Sequence, residues 1–337
     1  MTGLPCEDAG HYEQKPHRNR LHSRPLRLHG SRHGSRHHRV QRIPRSAGLP
    51  PCAGGCRARH RENILRALRR QQPERVGFDF VFSPALLEEF RRRTGREDYQ
   101  EYYQFPVRFL ELHPTCLQTD FTGFYDDLPP GTRPLDWNPE WGVMGSPGAV
   151  AHFQEMLHPM VRFTDVRQVR DYPRPDFLAD YRWEGAAQKA REIKAQDLVC
   201  AAFMEMTIFE VAWYLRGMED FMMDLMGGEE IAFALLDILT EMRVGMPRRY
   251  AEAGVDLLML GDDVATQLNM MISPELWRET LKPRLAQVIR AAKEARPEIL
   301  IFYHGDGNME EILPDLVEIG VEVLNPVLSS AGTNPTP

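Results

Sequence analysis

From residue 197 onward the chain repeats one unit: a short apolar run, then polar residues, then a longer stretch with apolar residues at helical spacing. Apolar runs stand at 198–203, 255–260, 299–303 and 321–324, short enough to be strands buried on both faces. Helical spacing fills 207–226, 229–253, 274–295 and 309–319, with Gly254 closing one helix and Pro274 opening another. A strand that is always followed by a helix cannot pair with its successor through a tight turn. The alternation implies parallel strands joined by helical crossovers.

The earlier half opens in the same manner. Residues 62–70 put Ile64, Leu65 and Leu68 on one helical stripe, Pro73 ends that helix, and the apolar run 76–82 reads as the first strand. Residues 85–93 resume helical spacing. The stretch 99–182 is rich in aromatic residues, Pro and Gly and reads as an insertion with short helices. Two architectures fit such alternation, a doubly wound open sheet and a closed barrel. No Gly-rich phosphate loop follows the first strand, and polar residues collect at the strand ends: Glu205, then Asp262 and Asp263, then His304 and Asp306. That distribution favours the barrel, whose active sites lie at the C-terminal ends of several strands. The expected fold class is α/β, a TIM (β/α)8-type barrel that is incomplete, with about five of its eight strands present. A barrel short of strands has open edges and a site that lacks a wall, so such a chain is expected to be inactive alone.

Charge divides the chain. Residues 1–60 hold 12 Lys and Arg against 3 Asp and Glu, a charge of +9, which leaves −16 on the remainder. An acidic body argues against a nucleic-acid groove, since phosphate binding relies on clustered cations, and points to a small-molecule substrate. The front also holds 8 of the 12 histidines and lacks apolar periodicity. The domains expected are a disordered basic extension at 1–59, the partial barrel at 60–327, and an unstructured tail at 328–337. For the extension three readings stand: a tail that binds an anionic partner or, through Cys52, Cys56 and His60, zinc; a transit segment; or sequence read in another frame. Five scattered cysteines make no disulfide framework, and no window approaches 18 apolar residues; a cytoplasmic protein without membrane contact is expected. Nothing in the composition bears on oligomeric state.

His304 and Asp306 stand two apart just past a strand, so on a continuing strand both point into the barrel mouth, able to bind a metal or hold a proton. The competing reading is a loop histidine bonded to a neighbouring carboxylate. Asp262 and Asp263 are adjacent, so one points inward if the other points out, and adjacent acids also serve as helix caps. Gln267 is placed to support them. Of Glu205 and Glu210, one lines the site and the other caps or solvates a helix. Met204, Met206, Met259 and further methionines nearby read as core with a few lining a pocket. Lys282 and Arg284 could neutralise substrate carboxylates or simply be solvated.

In their order along residues 60–327 these pieces resemble the uroporphyrinogen decarboxylase superfamily, in the branch that includes corrinoid-dependent methyltransferases. The resemblance is carried by residues 61–68 with 73–76, Phe209-Glu210, Leu215-Arg216-Gly217, Gly254-Val255-Asp256, Asp262-Asp263 with Gln267, Ser273-Pro274 with Trp277, His304-Gly305-Asp306-Gly307-Asn308, and Leu324-Asn325-Pro326-Val327. It implies a TIM barrel and two chemistries. The decarboxylases remove carboxyls from a tetrapyrrole without a cofactor, using an Arg-Gln-Ala-Gly-Arg-Tyr type segment that this chain lacks. The methyltransferases hold zinc through a His-x-Cys pair and a later Cys, and exchange methyl groups with a corrinoid protein. Asp306 stands at the first Cys position, a harder ligand than a thiolate, so His304 and Asp306 form an incomplete metal site. The resemblance favours methyl transfer from a small methylated compound over haem-pathway decarboxylation, with His304, Asp306, Asp262, Asp263 and Glu210 catalytic and Gln267, Asn308 and Glu205 binding substrate.

Overall fold

In the computed structural model, which describes residues 60–135, 139–147 and 154–326, eight short strands form. They are β1 Val107–Phe109, β2 Arg133–Pro134, β3 Met144–Pro147, β4 Gln154–Leu157, β5 Val199–Glu205, β6 Leu257–Gly261, β7 Leu300–His304 and β8 Val323–Asn325. The readings made for 1–59 and 328–337 lie outside the described residues. Five strands join in one sheet in the order β1-β5-β6-β7-β8, every pair parallel. Neighbours along the chain are neighbours in space, with helices in the crossovers, which is the arrangement of the (β/α) barrel. Five of the eight strands of such a barrel are present among the described residues, with β1 and β8 at the edges.

The strand expected at 76–82 does not form. Val76 and Val81 are 90% and 87% exposed, while Phe80 and Phe82 pack with Tyr99 and Tyr103, and Phe78 and Phe80 meet Phe105 edge-on. The rings contact one another around the buried Phe105, while Phe78, Phe80 and Tyr103 stay partly exposed; ring-to-ring contacts hold the segment in place of a pleated partner. The first strand is β1 instead, whose Val107, Arg108 and Phe109 lie opposite Val199, Cys200 and Ala201. The region read as an insertion of short helices does hold Tyr99–Tyr102 and Val166–Asp171, and it also contributes β1 and an antiparallel sheet of β2, β3 and β4. The helix expected at 274–295 is two, Pro274–Thr280 and Lys282–Ala295. Pro283 has no N–H to donate back into the first helix, so a new one starts there.

Side chains alternate across each strand, so the sheet has two faces with different fates. Cys200, Ala202 and Met204, Leu258 and Leu260, and Ile301 and Tyr303 face the helices in the main core, against residues such as Leu235, Leu239 and Val288. Val199, Ala201, Leu257 and Leu300 face the other way and pack on Leu65 of the helix His60–Leu68. Arg61 of that helix reaches Asp256 ahead of β6 through two bonds, Nε to Oδ2 at 2.9 Å and Nη2 to Oδ1 at 2.6 Å. The paired, charge-assisted geometry fastens the helix under the N-terminal ends of the strands. Along the same inner face the register sets Phe203, Met259, Phe302 and Val323 in one layer and Glu205, Gly261, His304 and Asn325 in the next. Apolar layers therefore lead up to a polar one at the C-terminal ends. No helix among the described residues is long and apolar enough to cross a membrane.

Candidate functional site

The polar layer owes its closeness to missing side chains. A Cβ on Gly261 would stand 2.5 Å from the His304 carbonyl oxygen, and one on Gly305 would stand 2.9 Å from that of Asp262. With glycine at both places the loops after β6 and β7 lie against each other, and the main-chain N–H of Asp306 donates to Asp263 Oδ1 at 2.7 Å. His304 Nε2 stands 3.9 Å from Asp306 Oδ1. One potential ligand atom from each of Asp263, His304 and Asp306 lies within 4.8 Å of the others. The His304 ring is held from behind, its Nδ1 2.9 Å from Asn325 Oδ1 at the end of β8. When Nδ1–H donates to that amide oxygen, Nε2 carries the lone pair and faces Asp306. An imidazole oriented in this way, beside two carboxylates, suits a borderline or hard divalent ion such as zinc or manganese, with positions left open for substrate.

The adjacent acids part company. Asp262 is buried and turned away from the mouth, accepting hydrogen bonds from the main-chain N–H of Ile208 at 3.1 Å and of Glu210 at 3.0 Å. It caps the helix Phe209–Arg216 from a neighbouring βα unit. Burial and the nearby Glu210 carboxylate push the Asp262 acid well above the usual range, against the pull of those N–H donors. Glu210 is buried as well, bonded by Tyr214 Oη at 2.7 Å and by the Asp263 N–H at 3.0 Å. Burial raises its acid to about 6. Glu210 thus braces Asp263 from below, and Asp262 braces the helix that carries Glu210.

Glu205 ends β5 beside Gly261, half-buried, its acid raised chiefly by burial and further by Asp263 and Asp306, with His304 opposing. It borders the cluster. Gln267 is exposed in the turn around 266–269 and joins none of these bonds. Asn308 donates through Nδ2 to the Leu268 carbonyl at 3.1 Å and accepts from the Glu310 N–H at 3.1 Å, bonds that hold the loop. Lys282 pairs with Asp315 and Glu318, and Arg284 with Asp237, so both are committed to other elements. Two functional candidates escaped the sequence reading. Asn325 stands one residue past the run 321–324, as His304 stands one past 299–303. Arg243 occupies the buried stripe of the helix Glu230–Ala253 with Leu239, Met246 and Tyr250, and a cation at a core position of a helical pattern was the available signal.

A methyltransferase from Methanosarcina mazei has a similar fold, with a TM-score of 0.50 and 20% identity over 79% of this chain and 75% of that one. None of the curated proteins compared with the chain matches it. The sequence model of the family described as uroporphyrinogen decarboxylase (URO-D) matches residues 152–326. That span contains β5 to β8, the loops that carry Asp263, His304 and Asp306, and Asn325. The chain belongs to the uroporphyrinogen decarboxylase family.

Proposed function

We propose that the protein is a methyltransferase-type member of this family that takes a methyl group from a small methylated compound, with a divalent metal held by Asp263, His304 and Asp306 and a corrinoid protein as the exchange partner. The observation that carries the reading is the gathering of one imidazole and two carboxylates at the ends of β6 and β7. A cation bound there would supply Lewis-acid activation of the substrate atom it contacts. The chain's own residues do the remaining work. Asn325 holds the imidazole so that Nε2 is free to bind, and Glu210 fixes the main chain of Asp263. Glu205, at the border of the cluster, is the group able to hold a proton beside the substrate. A carboxylate at Asp306, where the methyltransferase relatives carry cysteine, makes the ligand set harder and suits a harder ion than a thiolate would.

The test is a direct comparison of two reactions: methyl transfer to a corrinoid protein from methylated amines or ethers, and carboxyl loss from uroporphyrinogen, with His304→Ala as control. Methyl transfer that disappears in the variant supports the reading. Carboxyl loss without methyl transfer replaces it with decarboxylation.

A further inference from the structure

Between the inner face of the sheet and the segment that follows β1 lies a cavity of about 480 Å³, within the size range of small-molecule sites. Its lining includes four aromatic rings, Phe109 and Phe203 from the strands and Trp141 and Phe177 from the facing segment, beside leucines and methionines. Two arginines line it as well. Arg182 is fully compensated, its Nη1 2.9 Å from Glu140 and 2.8 Å from Asp176. Arg243 is not. It is 6% exposed, and its guanidinium reaches only the Thr207 carbonyl at 3.0 Å, the Met206 carbonyl at 3.0 Å and the Met246 sulfur at 3.7 Å. Among the described residues no carboxylate stands within ion-pair range of it. A guanidinium has five N–H donors, so two remain without an acceptor. The faces of Trp141 and Phe177 lie 5.6 and 5.4 Å away.

A buried cation with no carboxylate in contact is unfavourable unless something completes it; burial lowers the Arg243 pKa to about 10, with the Asp262 and Glu140 carboxylates opposing from beyond ion-pair distance. Met206 is in the left-handed region at φ 56°, which an unbranched side chain adopts only under constraint, and its carbonyl is one of the two on Arg243. The cavity is also bordered by Glu205, the residue beside Asp263, His304 and Asp306, and by Glu111. Two carboxylates at the border disfavour a dianion such as phosphate.

We infer that this cavity is a binding site for a planar monocarboxylate, its carboxylate completing Arg243, its flat body between Phe203 and Trp141, and its far end toward Glu205. The inference rests on the proposed function only for which end of the substrate reacts.

The probe is benzoate, titrated into chelator-treated full chain by calorimetry against benzamide, which has the same shape without the charge. Benzoate should bind roughly 10- to 100-fold tighter than benzamide, the margin expected for a charge-assisted pair. Arg243→Lys should retain part of that margin and Arg243→Met should abolish it. Equal binding of the two compounds, or an unchanged margin in Arg243→Met, overturns the inference; the wild-type comparison stands even if the methionine variant does not fold. Chelated protein carries no metal chemistry, so a failed methyl-transfer assay leaves this result untouched.

Discussion

Oδ1 of Asn325 lies 2.9 Å from Nδ1 of His304, across the junction of β7 and β8. The contact fixes both the rotation and the tautomer of the imidazole, so that Nε2 is the nitrogen offered to the cluster with Asp263 and Asp306. A ligand that must first find its orientation binds more weakly than one already held.

Asn325→Ala should therefore lower metal affinity roughly 10- to 100-fold, the usual effect of removing the partner behind a ligating histidine. Because Asn325 is exposed, thermal stability of the metal-free protein should hardly change. Isothermal titration and a thermal melt of the same preparation separate the two effects. Loss of stability without loss of affinity would make Asn325 structural only.

Replacing a hard ligand with a soft one should shift metal preference. Asp306→Cys exchanges a carboxylate for a thiolate two residues from His304, and should raise affinity for zinc while lowering it for manganese. Competition between the two ions, followed by metal analysis after gel filtration, reads this out. An unchanged ratio would place Asp306 outside the ligand set.

Asp262 has the opposite character, since its oxygens meet main-chain N–H groups rather than the mouth. Asp262→Ala leaves those donors buried without acceptors and should destabilise the fold by about 3 kcal/mol. Asp262→Asn keeps an acceptor and should cost less. Urea denaturation of both variants checks the order, and equal stability of all three proteins would contradict the capping role.

The network around Arg182 should set an acid limit. Burial works against the Asp176 carboxylate, but Tyr181, Thr115 and Arg182 outweigh it and hold its pKa below the usual value. A depressed folded pKa gives stability that is complete above the unfolded value and is lost as pH falls through the folded one. Stability should fall below about pH 4, and Asp176→Asn should flatten that part of the curve while lowering stability at neutral pH. An identical acid limb in the variant would assign the effect elsewhere.

The strands at 199–205, 257–261 and 300–304 were legible because their apolar runs are bounded by polar residues and lie between helices with clear spacing. β1 was not, since it is three residues long and carries Arg108 at its centre, whose Nη1 bonds the Phe105 and Val107 carbonyls. The run at 76–82 looked the better strand, yet its rings contact Tyr99, Tyr103 and Phe105, positions that periodicity cannot connect. At the site, adjacency of Asp262 and Asp263 showed that the two diverge, but not which one caps a helix, because that depends on where the helix Phe209–Arg216 lies in space. The pairing of Asp263 with His304 and Asp306 likewise depends on the close packing permitted by Gly261 and Gly305.

Metal titration of the full chain tests the proposed centre most directly. Zinc or manganese added to chelator-treated protein should bind to saturation at a single ion per chain, with X-ray absorption showing nitrogen and oxygen neighbours and no sulfur. Asp263→Ala, His304→Ala and Asp306→Ala should each abolish tight binding. No saturable binding by the wild-type chain, or binding that persists unchanged in His304→Ala, would contradict a metal centre at these three residues.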